Sequence, residues 1–418
     1  MKPFNRRPFL VGATALAAAL VLSACGGSGS ANVSGAIKVG VVLPLTGNLS
    51  ALGNEMNNGY LVAQELFNEA GGVNGRDVEF VTSDAPSPED AVSVATKLST
   101  DASVAAIMGS YSSGIAIPAS EVANRNKKPY WETGGAADEI TDRGLEYLFR
   151  TSGTASQPQT SAMTADFFQN TISKAMGKDM SEVKIGIAHE DSAFGVSSAA
   201  SFKKIADENG WNVVAEQPYT ATTSDLSSVV QNLKTSQVEV LYSAAYVNDA
   251  ILLMNQSAEL GFDPAVVLGY GAGYTTPDIV NALGDRVNGI VAMDGAPIGI
   301  QDDLLPENPT PSYSEFVERY ESKFDRAPLV HATIGYVGAM TLFQEVLSKM
   351  TDPLDGEEFL EVARKVDIAP GGTASYFGVK FDDKGQNERA MTFLMQYSDK
   401  KMVTIYPENV AAKDFELR

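Results

Sequence analysis

His189 and His331 are the only two histidines in 418 residues, and they stand in separate segments. A Ser-His-Asp triad or a zinc site would have to use one of them. Neither belongs to a Gly-x-Ser-x-Gly elbow or a His-Glu-x-x-His pair. Each reads more simply as a loop or helix residue, so the residue inventory weighs against an enzyme. Cys25 is the single cysteine. If it is modified, no thiol remains for a disulfide, a zinc-thiolate site or a nucleophile. Gly269-x-Gly-x-Gly273 lacks the full dinucleotide fingerprint and sits late in its βα run. No metal and no cofactor is expected.

Hydroxyls, glycines and aromatics at strand ends point to binding instead. Ser112 and Ser113 follow an apolar run at Val104 to Met108 and precede a helical stretch. Their hydroxyls and the N–H groups at a helix start suit a ligand carboxylate or carbonyl; the same serines would equally serve as plain helix caps. Gly134, Gly135 and Ala136 follow the next strand, where glycine allows close backbone approach and is also ordinary in turns. Phe194 and Tyr246 lie at later strand-to-helix loops, as ligand platforms or as core. Glu132 ends the strand Pro129 to Thr133 and either faces a cleft or stands solvated. Trp131 and Tyr111 could line such a cleft or belong to the core.

The elements that must position these residues alternate. Ile37 to Leu43 is a β-branched, apolar run closed by Pro44 and Gly47, and reads as a buried strand. Asn54 to Ala70 carries a helical stripe of Leu61, Val62, Leu66 and Phe67, ended by Gly71-Gly72. Ser87-Pro88-Glu89-Asp90 opens a further helix with a capping serine, a first-turn proline and two acids. Strands at 104–108, 129–133, 183–188, 211–218, 238–244 and 265–268 alternate with helices, including one predicted over Pro118 to Lys127. Strict alternation implies parallel sheets covered on both faces, an α/β fold. The tail predicts three helices, Ser314 to Phe324, Ala332 to Met350 and Gly356 to Lys365. An antiparallel set over Tyr376 to Phe381, Met391 to Tyr397 and Lys401 to Tyr406 follows.

The first residues read as a leader. Lys2, Arg6 and Arg7 precede an apolar run from Leu10 to Leu22. A membrane span needs ~20 apolar residues, so this run suits a signal-peptide core. Leu22-Ser23-Ala24-Cys25-Gly26 matches a bacterial lipobox, with Cys25 as the lipidation site, and a Gly/Ser tether follows. Asn5 to Leu10 resembles the twin-arginine export motif, with the general route left open. The formal net charge is −21. That argues against nucleic acid and against a basic lipid-binding face.

Taken in order, Val39-Gly-Val-Val-Leu-Pro-Leu-Thr-Gly47, Asn68-Glu-Ala-Gly-Gly-Val-Asn-Gly-Arg76, Ile107-Met-Gly-Ser-Tyr-Ser-Ser-Gly114, Phe194-Gly195 and Gly284-Asp285 resemble the Leu/Ile/Val-binding protein family, the type I periplasmic binding proteins. The resemblance implies two Rossmann-like lobes with parallel sheets joined by a three-strand hinge. With the leader at 1–25 and the tether at 26–35 read from composition, the resemblance implies lobe 1 at 36–152 plus 295–370 and lobe 2 at 153–294 plus 371–418. Together with the lipobox it implies an extracytoplasmic, membrane-anchored solute-binding lipoprotein, a monomer, which delivers a small organic solute to an ABC permease and its ATPase subunits. A lipoprotein presenting the solute to a membrane sensor is the alternative.

The ligand set carried over by resemblance is Leu52, Ser112, Ser113, Gly134, Gly135, Ala136, Phe194, Tyr246 and Gly271, with Glu132 added. Three positions depart from the family pattern, among them Glu132, where family members tend to have a small residue. Ala136 stands where family members place a hydroxyl. Gly271, in Gly269-Tyr-Gly-Ala-Gly-Tyr274, stands where amino-acid binders place the acid that pairs with the ligand ammonium. Either the ligand lacks an ammonium, or another acid serves, with Glu132 the candidate.

Overall fold

Ile37–Leu43 (β1) is a continuous apolar run, and a strand of that kind is stable only with both faces covered. A computed structural model describes residues 35–418 apart from 301, 306 and 308. The leader, Cys25 and the tether up to residue 34 lie outside the described residues. β1 pairs in parallel with Val78–Asp84 (β2) and Val104–Gly109 (β3), and Tyr130–Glu132 (β4) and Leu148–Arg150 (β5) complete a five-stranded parallel sheet of order β2-β1-β3-β4-β5. Its helices are Ser50–Glu69 (α1), Pro88–Thr100 (α2), Ser113–Arg125 (α3) and the single turn Glu139–Asp142 (α4). Ser87 caps α2 by accepting from Asp90 N–H, as its sequence signature predicts.

A second sheet follows Pro158–Asp166 (α5), a π turn over Phe167–Ile172 and Ser173–Met176 (α6). Ile185–Glu190 (β6), Val213–Tyr219 (β7), Val240–Ala244 (β8), Val266–Tyr270 (β9) and Val291–Asp294 (β10) run parallel. Ala193–Glu208 (α7), Ser227–Thr235 (α8), Val247–Glu259 (α9) and Pro277–Leu283 (α10) alternate with them. The remaining elements are Tyr313–Phe324 (α11), Val330–Thr341 (α12), Gly356–Ala363 (α13), Asp367–Ile368 (β11), Val379–Lys380 (β12), Phe393–Ser398 (β13) and Lys401–Tyr406 (β14). β13 and β14 extend the second sheet antiparallel, giving the order β14-β13-β10-β9-β8-β6-β7. No helix among the described residues is long and apolar enough to cross a membrane.

Packing explains the tail helices. Every residue of α12 is buried. A helix apolar on all sides must be enclosed, and here α1 covers it. A Cβ on Gly59 would stand 2.0 Å from the Ala332 carbonyl oxygen, so the two backbones can meet this closely only with glycine there. Trp131 is fully buried, donates from Nε1 to Gly338 O at 2.9 Å and lies against Phe149, Phe359 and Phe381. It is core, and truncation to alanine would cost about 3–5 kcal/mol.

Two sequence expectations need correction. The third helix starts at Ser113 instead of Pro118, which lies inside it. The proline forfeits one internal bond, and the buried face formed by Ile115, Ala116 and Ala119 offsets that loss. The three-strand antiparallel set is only a pair. Val379–Lys380 leaves it to bond Asp367–Ile368 in a separate two-stranded ribbon.

Candidate functional site

Both sheets reverse direction of growth beside their first strands, β1 to β3 in one and β6 to β8 in the other. Loops diverge at such points, and ligands bind beyond the carboxyl ends of the strands there. The loops after β3, β4, β5, β6, β8, β9 and β10 enclose one cavity, with about 550 Å³ of empty space including its mouth. From the first sheet come Tyr111, Ser112, Ser113, Thr133, Gly134, Ala136, Ser152 and Gly153. From the second come Phe194, Tyr246, Tyr270, Gly271 and Asp294, followed by Gly295. His331 and Ile334 on α12 and Thr392 before β13 close it.

The segment after β4 is fixed by two buried charges of opposite sign. Glu132 is fully buried, and its Oε1 accepts from the backbone N–H of Thr133, Gly134 and Gly135 at 3.1, 2.8 and 2.7 Å. Its Oε2 accepts from Ser110 N–H at 2.9 Å. Burial pushes the Glu132 carboxyl up, and these backbone donors pull it back. Arg150, also fully buried, donates to the Gly135 and Ala137 carbonyls at 3.0 and 2.7 Å and to Thr141 Oγ1 at 2.8 Å. Burial lowers its guanidinium to about 10, with Glu132 opposing that shift. Ser113 Oγ accepts from Ala137 N–H at 3.0 Å. Within this clamp the N–H groups of Ser113 and Ala136 donate to nothing else among the described residues. They are among the donors left for a ligand.

Glu190 repeats the device after β6. It is fully buried and accepts from Ser192 N–H at 2.6 Å, the Ser192 hydroxyl at 2.7 Å and Gly195 N–H at 2.7 Å. A Cβ on Gly195 would come 2.0 Å from the Glu190 carbonyl, so only glycine fits beside Phe194. The Phe194 ring packs at 5.3 Å from Tyr246 and 5.7 Å from Tyr270, and Tyr246 lies edge-on to Tyr111 at 6.2 Å. Burial raises Tyr111, Tyr246 and Tyr270 well above the usual phenol range, so all three are neutral hydroxyls.

Seven of the ten ligand positions expected from sequence therefore share the cavity: Ser112, Ser113, Gly134, Ala136, Phe194, Tyr246 and Gly271. Three do not line it. Leu52 sits in the first turn of α1 and points into the core. A Cβ on Gly135 would meet Ile140 Cδ1 at 2.5 Å, so its α-carbon faces the packing under α4. Glu132 does not face the cleft; four backbone N–H groups hold both its oxygens inside the loop it organises. Sequence reading does not reach Asp294, His331, Ser152, Tyr270 or Thr392. A strand-end acid at Asp294 is a usable signal, whereas His331 arrives by long-range packing of α12.

The family model described as "Periplasmic binding protein" matches residues 36–401. Leu/Ile/Val-binding protein homolog 7 of Brucella suis is 36% identical over 392 residues, 93% of this chain and 96% of the relative. Homolog 8 of Brucella abortus is 36% identical over 377 residues, 90% of this chain and 91% of the relative. Among solved structures, the branched-chain amino acid transporter substrate binding protein LivJ from Streptococcus pneumoniae, in complex with isoleucine, superposes with TM-score 0.74 at 20% identity, covering 89% of this chain and 100% of LivJ. A solute binding protein from R. palustris in complex with benzoate gives TM-score 0.74 at 20% identity, covering 91% of this chain and 98% of that one.

Proposed function

This chain belongs to the periplasmic binding protein family, and from that premise we propose that it is an extracytoplasmic lipoprotein which captures a small solute for an ABC importer. The observation that carries this reading is the cavity between the strand ends of both sheets, lined by seven residues expected from sequence to bind. The solute class we propose is an amino acid or a related carboxylate or amide. The free N–H groups of Ser113 and Ala136 suit a carboxylate, and the isoleucine and benzoate held by the two structural neighbours both carry one.

In this reading 36–152 with 295–370 and 153–294 with 371–418 act as two lobes. The membership of β1–β5 in one sheet and of β6–β10, β13 and β14 in the other supports the division on either side of residue 152, while the ribbon of β11 with β12 crosses the 370/371 boundary. Solute enters between the open lobes and binds the closed arrangement more tightly, so closure is a population shift. The closed form docks on a permease, and no bond in the solute is made or broken. Cys25 carries the lipid that keeps a monomeric protein at the membrane, as its lipobox setting suggests.

A thermal-shift screen of the mature protein across amino acids, organic acids, amides and nucleobases tests the reading. At least one amino acid, carboxylate or amide should raise the melting temperature. Stabilisation by nucleobases alone would contradict the solute class.

A further inference from the structure

The acid missing at Gly271 has a physical reason. Gly271 has φ +75°, and a Cβ there would stand 2.9 Å from Phe194 Cζ. A side chain at this point would displace the aromatic wall and adopt a backbone conformation that favours glycine. One strand over, the sheet supplies a carboxylate. Met293 pairs with Tyr270, Gly271 N–H donates to Met293 O at 2.9 Å, and Asp294 follows at the end of β10.

Asp294 lines the cavity and is only 7% exposed. Its Oδ1 accepts from Gly295 N–H at 2.8 Å, and the Thr275 hydroxyl reaches Oδ2 at 3.3 Å. His331 Nε2 stands 3.7 Å from Oδ2, beyond hydrogen-bond reach. A buried carboxylate with one short donor has acceptor capacity to spare, and burial without donors is costly. Ser152 lines the same cavity and is only 8% exposed, and its Oγ has no hydrogen-bond partner among the described residues.

We propose that Asp294, with His331 and Ser152, is the ammonium subsite of this cavity, displaced from the loop after β9 to the end of β10. An ammonium brings three N–H donors and no acceptor. Carboxylate oxygens of Asp294 and the Ser152 hydroxyl oxygen supply acceptors, and the His331 ring stands beside them. The solute is then a small amino acid, its carboxylate on the Ser113 and Ala136 N–H groups and its ammonium on Asp294. This deepens the solute-capture reading and rests on it.

Calorimetry on the full mature chain with matched pairs tests the subsite: L-leucine against 4-methylpentanoate, and L-phenylalanine against 3-phenylpropanoate. Wild type should bind an amino member at least about tenfold tighter than its partner. Asp294→Asn, which keeps the shape and the acceptor for Gly295, should bring that ratio close to one. Ser152→Ala should lower the ratio less and leaves the carboxylate untouched, so it reports even if the first variant folds poorly. A ratio unchanged in both variants, or a wild type that prefers the desamino acid, overturns the subsite and leaves solute capture standing. A wild type that binds neither member of any pair overturns the subsite; if the broader screen also finds no ligand, solute capture falls separately.

Discussion

The backbone N–H of Asp138 donates to Ser197 Oγ at 3.1 Å, and the Ser197 hydroxyl donates back to the Asp138 carboxylate at 3.0 Å. Asp138 belongs to the loop after β4 and Ser197 to α7 behind β6, so this reciprocal pair ties the segments that follow the two sheets' strands to each other. The Ser201 hydroxyl adds a longer bond to the same carboxylate at 3.4 Å, and the Ser156 hydroxyl holds its other oxygen at 2.7 Å.

Under the proposed lobe closure, such a pair favours the closed arrangement without touching the solute. Ser197→Ala removes one donor and one acceptor, and about 1 kcal/mol of closure energy is expected to go with them. Affinity for any stabilising solute should fall roughly fivefold, chiefly through faster dissociation, with the unliganded melting temperature nearly constant. Stopped-flow dissociation measurements check this; an unchanged off-rate would remove the latch from the account.

Glu132→Gln distinguishes a loop clamp from a ligand contact. The amide retains one acceptor but turns an NH2 group toward backbone donors that the carboxylate now satisfies. A loss of about 2–3 kcal/mol in stability is expected. Affinity for amino and desamino solutes should fall together, because the glycine loop shifts for both. Denaturant unfolding with calorimetry reads both quantities. Intact stability with selective loss of amine-bearing solutes would return Glu132 to the ligand surface.

Asp249 gives the fold a pH signature. It is buried at the start of α9 beside Tyr246, accepts from the Tyr219 hydroxyl at 2.8 Å, and burial pushes its carboxyl up to about 7. The folded state therefore holds a proton that the unfolded chain releases near pH 4. Its stabilising contribution is fully present below pH 4 and is lost as pH rises through 7. The amide of Asp249→Asn cannot titrate, so the variant should gain on wild type by up to a few kcal/mol between about pH 4 and pH 7. Parallel stability–pH curves for the two proteins would contradict this assignment.

Much of this architecture is legible locally. β1, β3 and β8 are short apolar runs bounded by turn residues, and the loops that follow them carry Ser112, Ser113 and Tyr246. Period and punctuation suffice for such elements. β5, three residues ending in a buried arginine, offers no comparable pattern, and neither does α5 with its polar first turn. The site divides in the same way. Residues that follow strand ends are predictable, whereas the approach of His331 to Asp294 depends on α12 packing against α1, which no local period encodes. Glu132 escapes sequence reading because strand-end position says where a side chain begins, not which donors will claim it.

The most direct measurement is titration calorimetry of wild type against Phe194→Ala/Tyr246→Ala, using a solute that stabilises the wild type. One solute per wild-type chain, with binding lost or weakened at least about a hundredfold when both rings are removed, is the predicted result. Equal affinity in the two proteins would mean that the solute sits elsewhere, and the cavity between the sheets would lose its role.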